Sequence, residues 1–327
     1  MQTTLEHAPR VVHGAAPADH AWQSPAQELR AGLLGQPPTI APKFFYDARG
    51  CALYEAICEQ PDYDLPRVER AILDRHQGAL LALLPRDAEL IDIGCGDGLK
   101  ARRWLDAGIV ARYIGVDIAE HWLREQLARA SRRYPHVRFD GVASDLCWGF
   151  QLPLAREAGR ARIFWYPGSS IGNFEPAAAT RLLGQMRAHM RPGDALVLGA
   201  DGPRELARML RAYDDAAGVT ADFNLNVLSV VNQTLGTALD AADFEHRAVF
   251  NAGASRIEMH LVALRALSVP LGGGCTLALR AGEHIDTEHS YKHAPERARQ
   301  LLQGAGFGSV RRFGIEGQAY GVYVATA

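Results

Sequence analysis

The chain has 327 residues, 48% of them hydrophobic and 22% charged, and a formal net charge of -2. That length suits one large or two modest domains, each able to bury a core. With no overall positive field to draw it onto nucleic acid or an anionic membrane, partners of those kinds are not expected.

No apolar run approaches the ~20 residues of a membrane span, and the N-terminus lacks a charged-then-apolar leader pattern, so a cytoplasmic protein is expected. The five cysteines (Cys51, Cys58, Cys95, Cys147 and Cys275) are scattered and never spaced C-x-x-C, which reads as free thiols. No metal is expected.

Residues 1–38 are rich in Ala, Pro, Gln and His with weak periodicity, and read as a loose arm with one short helix. From Lys43 the pattern sharpens into an aromatic and charged stretch ending at Gly50, followed by a helix over 51–59 and a break at Pro61 to Arg67. A helix over 68–84 leads to the strand at Glu89 to Ile93.

That strand runs into Gly94-Cys95-Gly96-Asp97-Gly98 and then a helical pattern over 99–107. An apolar strand, a glycine loop and a helix form the nucleotide-binding corner of a doubly wound α/β fold. The spacing is G-x-G-x-G rather than G-x-G-x-x-G. Asp97 in the loop repels a pyrophosphate but tolerates a cationic, phosphate-free ligand, which favours S-adenosylmethionine over NAD.

A regular alternation follows, with strands at 112–117, 137–142, 162–166 and 195–199 and helices at 120–134 and 176–190. This rhythm predicts a parallel sheet with helices on both faces. Beyond Asp201 come helices at 204–213 and 220–235 and extended segments at 245–251, 256–264 and 276–281. Neighbouring antiparallel strands fit there, as an insertion or second subdomain. The helix at 295–304 and strands at 310–314 and 321–325 return to the first sheet.

Asp117 closes the second strand of the alternation about twenty residues past the glycines, where an acid accepts ribose hydroxyls. Asp145 follows the next strand and can accept from an adenine amine while Leu146 covers the ring. Lys100 stands either near a methionine carboxylate or on a solvated helix face. It is one of only three lysines, with Lys43 and Lys292. Asn173, in Gly168 to Phe174 at the end of the fourth strand, offers a donor and an acceptor to an amino-acid head group, or belongs to a turn that caps the next helix. Glu288 and Ser290 project from one face if their segment is extended, as a carboxylate and hydroxyl that would read the two nitrogens of an imidazole. Taken alone, such a pair is more often solvated.

Together these stretches resemble the histidine-specific methyltransferase family, Nα-methyltransferases that make hercynine for ergothioneine biosynthesis. The likeness covers Pro42 to the C-terminus, through Pro42 to Gly50, the glycine loop, Gly168 to Phe174, Ala212 to Thr220 with Phe223 to Asn226, Ile257 to Met259 and Thr287 to Ser290. It implies a class I S-adenosylmethionine-dependent methyltransferase sheet, Rossmann-like, over 68–201 and 293–327. It also implies a second α/β domain for the amino acid over 23–67 and 202–292, after a loose arm at 1–22.

Gly94, Gly96, Lys100, Asp117, Asp145 and Leu146, with Tyr46, are the residues expected to hold the cofactor, and the resemblance implies that the catalytic sheet carries it and assigns the substrate residues. Asn173 and Tyr213 hold the carboxylate and orient the amine, with Asn173 and Tyr46 as the catalytic pair. Tyr46 and Tyr63 sit near the amine or ring, Met259 lines the pocket, and Glu288 with Ser290 binds the imidazole. Tyr46, Tyr63 and Phe223 are candidate aromatic walls for a methylated cation. The substrate implied is L-histidine and the enzyme is expected to be a monomer. Asp64 and Pro66 depart from the family pattern, and residues 291–293 differ somewhat. Competing readings are the same fold acting on another amine, a non-catalytic cofactor-binding module, and, least favoured, an NAD oxidoreductase.

Overall fold

A computed structural model of the protein describes residues 8–14 and 24–327. The chain divides into two compact units, one of Met1–Ala18, Val68–Gly202 and His293–Ala327, the other of Asp19–Arg67 and Pro203–Lys292.

In chain order the strands are β1 (Arg10–His13), β2 (Ala88–Ile93), β3 (Val110–Asp117), β4 (Arg138–Ala143), β5 (Arg162–Tyr166) and β6 (Ala195–Ala200). Then come β7 (Phe244–Asn251), β8 (Arg256–Ala263), β9 (Leu267–Gly272), β10 (Cys275–Leu279) and β11 (His284–Tyr291), and finally β12 (Ser309–Phe313) and β13 (Gly321–Thr326).

The first unit is an eight-stranded sheet in the order β1-β4-β3-β2-β5-β6-β13-β12. The strands from β1 to β6 run parallel, while β13 is antiparallel to both β6 and β12. From β2 the chain builds outward to β3 and β4 on one side and to β5 and β6 on the other, so the topological switch lies at the carboxyl end of β2. That end is where the glycine loop begins.

All six residues of β2 are buried, as a central strand covered on both faces requires. The helix Glu120–Arg133 buries Leu123, Gln126 and Leu127, one stripe at helical spacing, and Pro176–Ala188 does the same with Ala179, Leu182, Leu183 and Met186. Under these helices Ile91, Ile93, Ile114, Val116, Phe164 and Leu196 form the core.

At the opposite strand ends, Arg112 is held by Glu89 at 2.8 Å and Asp140 at 2.6 Å, and Arg162 by Glu89 at 2.7 Å. All four side chains are buried. The acid end of this network belongs to the scaffold.

Several boundaries differ from the sequence reading. Arg10–His13, within the stretch read as a loose arm, pair with β4 at the sheet edge, while 1–7 and 15–23 lie outside the described residues. The helix read over 68–84 is two, Leu65–Arg75 and Gln77–Leu81, divided at His76, whose Nε2 meets the carbonyl of Gly314 at 3.0 Å. The helix read from Leu99 spans only Arg102–Asp106, because the loop first closes two turns of its own.

The second unit carries a three-stranded antiparallel sheet, β11-β8-β7, and a β9-β10 hairpin. The helix Val219–Leu235 packs on β7 and β8, burying Phe223, Val227, Leu228 and Val231 with Tyr213, Met259 and Ile285. Asp215 starts this helix by accepting from the amides of Val219 and Thr220 at 3.1 and 2.8 Å. Gly236, at a φ of 68°, ends it.

Register in β11 shifts between Asp286 and Glu288, leaving Thr287 as a bulge. The Thr287 hydroxyl reaches Asn224 Oδ1 at 2.6 Å and the Met259 carbonyl at 2.9 Å. The extra residue turns Glu288 and Ser290 to the side of the Val219–Leu235 helix and leaves His284, Asp286 and His289 on the other side.

Candidate active site

In the first unit the sequence-derived residues gather on the carboxyl edge of the parallel strands. Gly94 and Gly96 have φ of +65° and +51°, and a Cβ at either would meet nothing within 4 Å, so the loop is open on the side where a ligand would lie. Gly98, at +67°, differs: a Cβ there would strike the Gln126 side chain. Asp97 Oδ1 accepts from the Leu99 amide at 2.9 Å, a turn that keeps its carboxylate beside the loop. The helix that follows has five residues, so loop amides rather than a helix dipole face a ligand.

Asp117 holds the loop directly. Its Oδ2 accepts from the Gly96 amide and its Oδ1 from the Ala119 amide, each at 2.9 Å. Every carboxylate oxygen can take more than one donor, so this half-buried group keeps acceptor capacity for a diol. The Ser144 amide bonds the Asp117 carbonyl at 2.9 Å, which sets the end of β4 beside that of β3. There Asp145 accepts from the Cys147 amide at 2.9 Å, and Leu146 packs against the core.

The loop after β5 carries Asn173 at the close of the turn Ser170–Asn173. Ser169 sits in the left-handed region at a φ of 63°, and its Oγ accepts from the Asp201 amide at 2.8 Å. Sequence reasoning missed what supports this loop. Buried Glu69 accepts from the Gly168 amide at 2.8 Å and from the Tyr320 hydroxyl, and it pairs with Lys100 at 3.2 Å. Lys100 is thereby placed at the glycine loop, on a turn and not on a helix.

These features fit an adenosyl ligand with a cationic sulfur: an open glycine loop without a pyrophosphate-binding helix, carboxylates at two successive strand tips, and an acid at Asp97. Asp92, on β2, adds another acid near them. Burial pushes it up to about 7, against the Tyr113 hydroxyl that donates to it at 2.8 Å and the charge of Lys100.

The second unit brings together Tyr63, Tyr213, Met259, Glu288 and Ser290. Met259 and Glu288 are register partners across β8 and β11 and therefore share a face. Burial pushes the Glu288 carboxyl up to about 7, with Lys292 and then His289 opposing. The Tyr63 and Tyr213 rings meet edge to face at 6.2 Å.

Tyr213 hydroxyl and Ser290 Oγ are 2.7 Å apart, and Lys292 Nζ donates to them at 2.8 and 3.0 Å. The same ammonium lies 4.5 Å from the Tyr213 ring centre. The resemblance assigns Tyr213 to the carboxylate end of a substrate and Ser290 to its ring, and in this structure the two hydroxyls bond each other. Lys292 was singled out in the sequence only as one of three lysines.

Tyr46 joins the group through Tyr54, their rings 5.9 Å apart, and Tyr54 has no sequence signal of its own. Phe223 is a core residue, stacked on Phe45 at 4.5 Å, so one of its faces is already covered. Asp64 forms ion pairs with Arg204, at 2.9 Å, and with Arg208, which fastens the segment around Tyr63 to the helix Leu206–Arg211 and the residues just before it. Pro66 sits in the first turn of Leu65–Arg75, where the missing amide hydrogen costs nothing. The departures at Asp64 and Pro66 thus have structural roles.

Residues 25–327 match the family model described as histidine-specific, S-adenosylmethionine-dependent methyltransferase. The histidine N-alpha-methyltransferase of Mycolicibacterium smegmatis is 38% identical over 296 residues, 88% of this chain and 90% of that protein. That of Mycobacterium tuberculosis is 35% identical over 305 residues, 91% of this chain and 94% of its own. Ergothioneine biosynthesis protein 1 of Neurospora crassa is 28% identical over 297 residues, 88% of this chain but 33% of that longer protein.

Proposed function

The chain belongs to the family of S-adenosylmethionine-dependent, histidine-specific methyltransferases, and from that premise we propose that it methylates the α-amine of L-histidine to the trimethylated betaine hercynine. The observation that carries the substrate assignment is the face of the second unit on which Glu288, a carboxyl poised near neutrality, stands two residues from Ser290. A carboxyl with its pKa near that of imidazole accepts from one ring nitrogen while a hydroxyl addresses the other.

S-adenosylmethionine, when bound, supplies a methyl group on a cationic sulfur. We assign its binding to Gly94, Gly96, Lys100, Asp117, Asp145 and Leu146 of the first unit, and to Tyr46. Asp117 and Asp145 offer oxygens to the ribose hydroxyls and the adenine amine, and Leu146 covers the ring. Asn173 gives its amide to the amino-acid head group.

The amino acid itself is assigned to the second unit. Of the two hydroxyl protons of Tyr213 and Ser290, one is used between them; Lys292 donates to a lone pair of each oxygen, which leaves the other hydroxyl proton for a ligand. Methyl transfer needs a neutral amine, and the Tyr46 hydroxyl is the group assigned to relay the proton, accepting it from the ammonium as it passes its own to water. A trimethylated product has no N–H left to donate, so aromatic faces must retain it, at ~0.5–2 kcal/mol. Tyr46, Tyr54 and Tyr63 provide them.

Among the described residues no helix is long and apolar enough to cross a membrane. With its near-zero net charge and five free thiols, the protein is proposed to be a cytoplasmic monomer without a nucleic-acid partner. Purified protein incubated with methyl-labelled S-adenosylmethionine and L-histidine should yield three labelled methyls per product molecule by mass spectrometry. Turnover of another amine in preference to histidine would overturn the substrate assignment.

A further inference from the structure

On the face of the three-stranded sheet turned away from Glu288 and Ser290, two histidines and an aspartate converge. His260 Nε2 and His284 Nε2 each lie 3.1 Å from Asp286 Oδ1. The three ligand atoms fall within 4.8 Å of one another. Asp286 Oδ1 is buried and has no hydrogen-bond partner, so neither close approach has the angle of a hydrogen bond. The backbone sets this convergence: Asp286 and His260 are register partners, and His284 is two residues along the same strand.

From this geometry we propose that His260, His284 and Asp286 form a binding site for a divalent transition cation of the zinc type. Ligands bonded at ~2.0–2.1 Å to one such tetrahedral ion stand roughly 3.3 Å apart, and Asp286 Oδ1 is 3.1 Å from each imidazole nitrogen, so a small opening of the trio would admit the ion. Two imidazoles and one carboxylate suit a borderline ion and not magnesium or calcium, which prefer oxygen sets. Glu258 Oε2 lies outside this trio but hydrogen-bonds His260 Nε2 at 3.2 Å and so helps to position that ring. Its other oxygen is fixed by Arg256 at 2.7 Å and Asn251 at 3.0 Å.

The two rings stack at 4.0 Å with 12° between planes, so ligation opens them about their Cβ–Cγ bonds. An ion there would tie β8 to β11 beside the Thr287 bulge that aims Glu288. No sequence spacing marks the site, because its ligands come from two strands.

The test uses full-length protein free of any affinity tag, dialysed against chelator, in a Cys147→Ser background that removes the exposed thiol. Titration with cobalt(II), without histidine present, should give one equivalent per chain with visible d–d absorption, displaced by zinc(II) and not by magnesium(II), and zinc should raise the melting temperature. His284→Ala and Asp286→Asn should each weaken binding by at least about tenfold. Asp286→Asn keeps its backbone bonds to Pro38 and Ile40, so it reads the carboxylate alone should His284→Ala disturb the strand. Failure to take up cobalt stoichiometrically, or uptake that neither substitution changes, would overturn the site.

Discussion

The Tyr213 hydroxyl and Ser290 Oγ stand 2.7 Å apart beneath one buried ammonium, that of Lys292. Lys292 donates to both oxygens, so it fixes where their lone pairs point and which hydroxyl proton is left for a ligand. Lys292→Met removes two charge-assisted bonds without removing either hydroxyl. The expected outcome is a rise in histidine KM worth about 1.5–3 kcal/mol, with the dissociation constant for S-adenosylmethionine unchanged by calorimetry. Equal losses in both affinities would show that the lysine supports the fold at large.

Glu288 makes a separate contribution. Its truncation in Glu288→Ala should raise histidine KM by a similar ~1.5–3 kcal/mol, whereas Glu288→Gln, which still accepts through one oxygen, should lose less. Steady-state kinetics on L-histidine reads both. If the two variants were equally impaired, the carboxyl would be acting through its charge and not through a bond to the ring.

The glycine loop separates binding from folding within five residues. A Cβ at Gly96 meets open space, so Gly96→Ala costs the left-handed conformation, about 1–2 kcal/mol, and narrows the cofactor's approach. At Gly98 the same methyl collides with Gln126 of the neighbouring helix. Gly96→Ala should therefore lose cofactor affinity with a modest change in melting temperature, and Gly98→Ala should melt lower than Gly96→Ala. Calorimetry and thermal denaturation on the two proteins give the comparison; the reverse order of melting would contradict the packing.

How much of this was legible beforehand follows from where each signal is stored. The strand tips at Asp117 and Asp145 and the loop between Gly94 and Gly98 stand in the sequence, because parallel strands repeat at near-constant spacing and a switch point needs small residues. β9 was missed because Pro270 interrupts it, which only an edge hairpin tolerates. The Thr287 bulge was invisible, since alternation alone cannot say that a strand slips by one residue. Lys292 and Glu69 were missed as supports for the same reason: their partners, Tyr213 and Tyr320, lie 79 and 251 residues away. Asp64 and Pro66 stand out in the sequence only as departures from the family pattern, and the ion pairs with Arg204 and Arg208 and the helix start at Leu65 give them structural roles.

Glu89 ties stability to acid pH. Burial alone would raise its carboxyl, but bonds from Arg162, the Glu157 amide and Arg112 outweigh that and hold it below the usual range. A depressed folded pKa adds stability above the unfolded value near 4.5, and that stability is lost as pH falls through the folded pKa. Glu89→Gln leaves two buried guanidiniums short of charge, at a cost of about 3–5 kcal/mol near pH 7. Denaturant titrations should show this gap closing below pH 4. A gap independent of pH would mean that shape, not charge, is what Glu89 provides.

Asp92 acts in the opposite direction. Its folded pKa, about 7, stands above the ordinary 3.8, so folding takes up a proton over the interval between them. In that window the unfolded chain is ionised while the native carboxyl stays protonated, and stability declines as pH rises, levelling off above pH 7. Asp92→Asn keeps an acceptor for the Tyr113 hydroxyl and has no charge to bury. Measured against the parent, the variant should be nearly equal near pH 4 and more stable at pH 8, with a gap of a few kcal/mol at about 1.4 kcal/mol per pH unit. Parallel pH profiles for the two proteins would show that the buried carboxyl ionises as freely in the fold as in water.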